Sequence, residues 1–252
     1  LADKRGCRVG EIYIAAMEQA IWPFRYIRNR DILSCEEQLK LARSRVAVVG
    51  AGGLGGTVIL LLARMGVGRL SVIDGDVFDE SNLNRQAISG MGNLGQSKAE
   101  EAAKMVAAIS PAVGIAGDRL TVDARNASEL LGNMDVVVDA LDNVADRILL
   151  DETTQRLGIP LVHGAIAGFE GQLMTVYPGD PGLKRLYGDR PPTEDDPTRP
   201  EAVLGVPAIT PSLVAALQAM EVLKILLNRG QRLRNRMLHI DLESGRFETF
   251  SF

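Results

Sequence analysis

RVAVVGAGGLGGTVILLLARMGVGRLSVID, residues 45–74, decides the fold. A β-rich run, 45–49, feeds the turn Gly50-Ala51-Gly52-Gly53-Leu54-Gly55. An apolar segment of helix length runs from Leu54 to about Met65, and a second β-type run, Leu70–Ile73, ends in Asp74. Strand, glycine turn, helix, strand and terminal acid match the nucleotide-binding βαβ unit on all of its parts. Backbone has to approach phosphate closely, so the turn needs residues without side chains. The helix start adds unpaired N–H groups and the positive end of the dipole. Gly50, Gly52, Gly53 and Gly55 are therefore candidate nucleotide contacts. Asp74 stands where a carboxylate can accept hydrogen bonds from ribose hydroxyls.

The chain of 252 residues is long enough to bury a substantial core, and 46% hydrophobic with 24% charged residues is ordinary for a globular protein. No uninterrupted apolar run approaches the roughly 18 residues needed to cross a bilayer. The opening LADKRGCRVG has no apolar signal core, so a cytoplasmic protein with no membrane partner is expected. A net charge of −4 and a pI near 5.4 give no general attraction to nucleic acid. Two cysteines, Cys7 and Cys35, cannot make a disulfide framework and suit a reducing compartment.

An N-terminal segment, 1–44, has helical composition over Gly10–Ile21, broken by Trp22-Pro23. FRYIRNR, 24–30, then brings Arg25, Arg28 and Arg30, and Glu36–Ala42 reads as a short helix. After Asp74 comes the polar loop GDVFDESNLNRQ. A helix opens at Gly95-Gln96-Ser97-Lys98, runs to about Ile109 and is stopped by Ser110-Pro111. Ala112–Val122 reads as a strand with a turn and Asn126–Leu131 as a short helix. DVVVDA, 135–140, is a buried strand ending at Leu141-Asp142-Asn143, followed by a helix, Val144–Leu157, and a strand, Ile159–Gly164. This alternation predicts an α/β fold over 45–170: a doubly wound, mainly parallel, Rossmann-like sheet. Ligands of such sheets sit beyond the carboxyl ends of the strands, where Asp74, Asp76 and Asp142 all fall.

From 171 the character changes. GQLMTVYP alternates like a strand, and 178–211 holds eight of the eleven prolines with Glu194-Asp195-Asp196 among them. A crossover loop is expected at 178–207. Thr210-Pro211 reads as a cap followed by an N1 proline, opening a helix with Leu213, Leu217, Met220, Leu223 and Leu227 as its apolar stripe. Arg236–Asp241 and Gly245–Phe250 form a closing hairpin, so 171–252 is a C-terminal antiparallel extension of the same domain.

Asp76, Asn82, Arg85, Gln86 and Lys98 gather in sequence behind the glycine turn. Arginine grips phosphate oxygens bidentately and lysine acts as a point charge, so these residues suit a triphosphate clamp. Taken singly, Arg85 and Lys98 also read as solvated surface charges. Asp142 suits Mg²⁺ bridging the phosphates, or a cap on the helix that follows it.

The order RYxRN, GAGGLG, DxD, NLNRQ, GQxK and DALDN closely resembles the ThiF/MoeB/HesA family, prokaryotic relatives of ubiquitin-activating enzymes. Glu170-Gly171-Gln172 and LQAMEVLK, 217–224, extend the resemblance over roughly residues 25 to 250. The resemblance implies an adenylyltransferase that uses MgATP to adenylate the C-terminal glycine of a ubiquitin-like sulfur carrier ending in Gly-Gly. Thiamine or molybdenum-cofactor synthesis is the expected setting. It implies that Gly52 and Gly53 line the ATP site, Asp74 binds ribose, Arg85 and Lys98 hold phosphates with Asn82 nearby, and Asp142 binds Mg²⁺. It also implies a homodimer in which Arg28 reaches into the neighbour's site, and a crossover loop over the carrier's tail.

The chain departs from many such relatives in having no cysteine after Cys35. Four-thiolate zinc and a crossover-loop cysteine nucleophile are therefore excluded, and the supported chemistry stops at the acyl-adenylate. Cys35 reads as a small, partly buried residue, with a redox role as the lesser alternative. His163 and His239 lie on strand-like runs and read as structural. Tyr13, Tyr26, Tyr177 and Tyr187 lack a lysine four residues on, which counts against a Tyr-xxx-Lys dehydrogenase. Two alternatives stay open: an ATP-dependent dehydratase of transfer-RNA threonylcarbamoyladenosine, and a non-catalytic binding subunit. The intact Arg85, Lys98 and Asp142 weigh against the second.

Overall fold

Val46, Val48, Leu70, Val72 and Val136–Val138 belong to short apolar runs, broken only by the buried Ser71, the pattern of strands covered on both faces. In the computed structural model, which describes residues 6–188 and 203–252, they form the centre of an eight-stranded sheet. The strands are β1 (Arg45–Val49), β2 (Arg69–Ile73), β3 (Gly114–Asp118), β4 (Val136–Asp139), β5 (Leu161–Ala167), β6 (Glu170–Val176), β7 (Arg236–Asp241) and β8 (Arg246–Ser251). Their order is β3-β2-β1-β4-β5-β6-β7-β8. The first five are parallel, and β5 to β8 pair antiparallel, which is the doubly wound sheet with a C-terminal extension that the sequence predicts. Winding reverses at β1, whose Val46 pairs with Leu70 on one side and Val136 on the other.

The helices among the described residues are α1 (Val9–Glu18), α2 (Cys35–Arg43), α3 (Gly53–Met65), α4 (Lys98–Ile109), α5 (Ala127–Leu131), α6 (Val144–Leu157), α7 (Lys184–Tyr187) and α8 (Ile209–Leu227). Ser34 caps α2 reciprocally with Glu37, and Ser97 accepts from Glu100 N to start α4. Alternate strand residues feed opposite cores. Val46, Val48, Leu70 and Val72 pack with Val58, Leu62, Val106, Val214 and Val222, whereas Ala47, Val49, Ile73 and Val137 pack with Leu131, Leu150 and Leu183.

Three expectations need correction. The α8 helix begins at Ile209 with Ala208 as N-cap, two residues ahead of the expected cap. Pro211 is tolerated at its third position because first-turn N–H groups have no intrahelical partner. The Thr210 hydroxyl donates instead to the Gly168 carbonyl at 2.7 Å. The apolar stripe is also different: Leu223 is buried but Met220 is 49% exposed, and the inward face carries Val214, Ala215, Gln218, Glu221, Val222 and Leu226. A helix apolar on most sides does not advertise which side turns inward, and here polar partners decide. Gln218 Nε2 donates to the Asp139 carbonyl at 2.8 Å, and Glu221 Oε2 accepts from Thr175 Oγ1 at 2.8 Å and Leu233 N at 2.9 Å. By length and composition α8 is also apolar enough to cross a bilayer, contrary to the expectation from uninterrupted runs; here it packs on α3, β5 and β6 as a core helix.

Strand limits shift too: β3 covers only 114–118, and β5 continues to Ala167 because β6 pairs with it to that residue. Within the expected crossover loop, the described part contains α7. The 191–200 prolines and Glu194-Asp195-Asp196 lie outside the described residues.

Asp151 on α6 holds the start of α7, its Oδ2 accepting from Leu183 N at 2.7 Å. Burial pushes this carboxyl above its ordinary value of 3.8, against the Leu183 and Gln155 hydrogen bonds. A carboxyl so raised keeps its proton longer in the folded chain than in the unfolded one. Its contribution is therefore most favourable below pH 3.8 and is lost as pH climbs to the folded pKa. Asp151→Asn is expected to raise the melting temperature at pH 7 and flatten its decline above pH 4; calorimetry across that range checks it.

Candidate nucleotide site

The site starts where β1 ends. Gly50 takes φ +93°, and a Cβ on it would lie 2.5 Å from the Ala140 carbonyl oxygen at the end of β4. A Cβ on Gly55 would lie 1.8 Å from the Gly50 oxygen. The turn, the start of α3 and the end of β4 thus touch through backbone, which no side chain at either position would allow. Gly52 is the N-cap of α3 and supplies no side chain to its first N–H groups. Those donors and the helix dipole face the crevice as an anion site.

Asp74 stitches this turn to the next loop: Oδ2 accepts from Ala51 N at 2.7 Å and Oδ1 from Asp76 N at 2.8 Å. Each oxygen keeps a further lone pair, which is what ribose hydroxyls would use. Asp76 in turn holds Lys98. The Lys98 side chain is 9% exposed, its Nζ meets Asp76 Oδ2 at 2.8 Å, and its backbone N donates to the Asp76 carbonyl at 3.0 Å. Asp76 is therefore the counter-ion and register pin of Lys98 in this structure.

Opposite stand Arg85 and Gln86. Arg85 Cγ is 3.6 Å from where a Gly53 Cβ would sit, so the side chain passes over the helix start. Its Nη1 donates to the Ser81 carbonyl at 2.8 Å and to Asn84 Oδ1 at 3.0 Å. Gln86 is buried, with Nε2 3.6 Å from a Cβ position on Gly52, and its Oε1 has no hydrogen-bond partner among the described residues. That oxygen is a buried acceptor left unpaired, which a ribose hydroxyl can satisfy and a phosphate cannot. Asn82 builds the loop: Oδ1 accepts from Asp79 N at 3.0 Å, and its carbonyl accepts from Arg85 N and Gln86 N. The Ser81 N–H holds Asp79 below the usual carboxylate range.

Asp142 lies exposed just past β4. The capping alternative fails, because Asn143 caps α6, its Oδ1 accepting from Asp146 N at 2.8 Å. Among the described residues no three His, Cys, Asp or Glu side chains cluster as a metal site. A Mg²⁺ carried by a triphosphate needs only one or two carboxylates, phosphate oxygens and water, so a lone exposed Asp142 fits it.

Arg28 is elsewhere. It lies on the 3₁₀ turn Phe24–Asn29, where Arg25 bonds the Ile109 carbonyl and Tyr26 packs against Gly66, the C-cap of α3. The helix has 13 residues at ~1.5 Å each, which puts that turn about 20 Å from Gly52. Arg28 does not join its own chain's clamp. Cys35 donates to the Met17 carbonyl at 3.6 Å, Cys7 is exposed, and His239 pairs with Glu170 at 3.4 Å.

One network lay beyond the sequence reading. Asp139 and His163 are fully buried partners on neighbouring strands, Nδ1 to Oδ2 at 2.7 Å, in direct register. His163 Nε2 meets the Tyr187 hydroxyl at 3.1 Å, and Arg147 Nη1 donates to that hydroxyl at 2.9 Å. Arg147 also donates through Nε and Nη2 to the Leu141 carbonyl, at 3.2 and 2.7 Å, fixing the peptide before Asp142. His163 is structural, as its strand position suggests. The available signal was an acid closing the apolar run DVVVDA one strand away from a histidine.

A doubly wound sheet with an uncapped glycine turn, and with basic side chains beside its switch point, defines a nucleotide-binding α/β protein. The ThiF family model matches residues 26–252, and the chain belongs to the ThiF family. It is an adenylyltransferase of the ThiF/MoeB type. Among curated relatives it is 42% identical over 231 residues to the SAMP-activating enzyme E1 of Haloferax volcanii, covering 90% of this chain and 84% of that protein. It is 38% identical over 218 residues to the sulfur carrier protein adenylyltransferase of Thermus thermophilus, covering 84% and 80%. Identity to the probable adenylyltransferase/sulfurtransferase MoeZ of Mycobacterium tuberculosis is 36%, covering 90% of this chain but 59% of that protein. A solved structure of E. coli MccB with ATP superposes with a TM-score of 0.76 at 20% identity, covering 91% of this chain and 71% of that one, which speaks to the fold alone.

Because Asp139 and His163 are fully buried and bonded to each other, His163→Ala is expected to destabilise the fold by about 1–3 kcal/mol, the usual scale for leaving a buried polar group unpaired. A lowered urea midpoint with an unchanged slope would show it.

Proposed function

We propose that the chain uses MgATP to adenylate the C-terminal glycine of a ubiquitin-like sulfur-carrier protein and releases pyrophosphate. The observation that carries this reading is the arrangement of Arg85, Gln86, Lys98 and Asp142 around an uncapped helix N-terminus. The names of the relatives, a SAMP-activating enzyme and a sulfur carrier protein adenylyltransferase, support the carrier class. A carrier of thiamine or molybdenum-cofactor synthesis is the finer form of the proposal. A homodimer belongs to it, with Arg28 completing the neighbouring copy's site.

A carrier's terminal carboxylate is already a nucleophile, so no general base is required. Its oxygen attacks the α-phosphorus, the acyl–phosphate bond forms, and the bond to the pyrophosphate oxygen breaks with the electron pair leaving on pyrophosphate. The chain's own residues have three tasks: they position two like-charged reactants, screen their repulsion and stabilise the charge that grows on the leaving group. The N–H groups of α3 and the Gly52–Gly53 backbone take phosphate oxygens, and Asp74 and Gln86 fix the ribose. Arg85 grips from the NLNRQ side and Lys98 from the start of α4. Asp142 would hold Mg²⁺, which supplies Lewis-acid charge when bound.

Arg85→Ala and Lys98→Ala are each expected to lower ATP–pyrophosphate exchange by about 10²–10³-fold, with the melting temperature nearly unchanged. The assay uses candidate carriers ending in Gly-Gly and the same carriers lacking the last glycine. Near-native exchange in either variant removes that residue from the clamp. Exchange that ignores the terminal glycine overturns the carrier reading.

A further inference from the structure

Asn84 lies between two clamp residues and has no role in the chemistry above. Its side-chain amide is used at both ends: Oδ1 accepts from Arg85 Nη1 at 3.0 Å, and Nδ2 donates to the Val206 carbonyl at 3.2 Å, across 122 positions of sequence. These partners fix the amide's orientation, since the flipped form would set NH₂ against a guanidinium and oxygen against oxygen. With Ser81, Asn84 occupies both protons of Nη1. Hydrogen bonds among the described residues thus hold Arg85 by Nη1, and the Nε–Nη2 edge is the one shaped for two phosphate oxygens.

The segment at the other end is anchored twice more. Gly168 N donates to the Gly205 carbonyl at 2.8 Å, and the Thr210 hydroxyl donates to the Gly168 carbonyl where α8 begins. Val203, Leu204 and Ile209 are exposed along it. Residues 203–208 are therefore pinned to the β5–β6 turn on one side and to the Arg85 loop on the other.

We propose that Asn84 is a positioning residue that couples segment 203–208 to the Arg85 guanidinium, so that the two are set together when a nucleoside triphosphate binds. This rests on the reading of Arg85 as a phosphate ligand. Coupling between sites is reciprocal: a phosphate that fixes Arg85 must steady the segment by the same factor by which a steadied segment favours the phosphate.

The test is hydrogen exchange of peptides covering 203–208 in the full chain, with and without a non-hydrolysable ATP analogue, beside calorimetric affinity for that analogue. In the unaltered chain the analogue should slow exchange there by about 5-fold or more. Asn84→Ala should bind the analogue several-fold more weakly and show no slowing. Asn84→Asp keeps an acceptor for Arg85 but cannot donate to Val206; it should also show no slowing and, by the same reciprocity, bind the analogue more weakly by about the factor of slowing it has lost. A merely local role for Asn84 would change the resting exchange and leave the analogue-induced slowing intact, which overturns the coupling. So does an unaltered chain that binds the analogue without slowing. An unaltered chain that fails to bind it overturns the nucleotide reading, and the coupling with it.

Discussion

Two missing side chains govern this structure. At Gly50 and Gly55 a single Cβ would run into carbonyl oxygens 2.5 and 1.8 Å away. Only their absence lets the end of β1, the start of α3 and the end of β4 share one small volume. From that contact everything else takes its place. The N-terminus of α3 is aimed into the crevice between diverging strands, Asp74 can reach Ala51 N, and the loop after it brings Asp76 and Lys98 alongside.

The proposed clamp is built by groups that hold one another before any ligand arrives. Asp76 fixes Lys98, Ser81 and Asn84 fix Arg85, and Asn143 takes the capping duty that would otherwise engage Asp142. Such preorganisation is what electrostatic catalysis requires, because donors already in place need no reorganisation as charge develops. Behind it, the line of hydrogen bonds from Asp139 through His163, Tyr187 and Arg147 to the Leu141 carbonyl stiffens the peptide that presents Asp142.

Much of this was legible in the sequence, for a physical reason. Residues 46–49 and 136–139 are dominated by β-branched side chains and buried on both faces, so local composition and tertiary position agree. The glycine turn was legible because close backbone approach leaves little choice of residue. What was not legible depends on pairing at a distance. The inward face of α8 was chosen by Thr175, Leu233 and the Asp139 carbonyl, which lie 46, 12 and 79 positions from the helix residues they bond. The Asp139–His163 pair required strand register, and the placement of Arg28 required knowing that Tyr26 packs at the far end of α3.

The same helix carries a consequence for how the molecule comes apart. Through Gln218, α8 is bonded to β4 in the parallel half of the sheet; through Glu221, one turn on, it is bonded to β6 and the approach to β7 in the antiparallel half. Pulling it away strands buried polar groups in both halves at once, a penalty neither half can escape alone. The parallel and antiparallel halves are accordingly bound into one cooperative unit of unfolding. A cut at the point where the strand direction changes would divide a single foldon and not separate two modules.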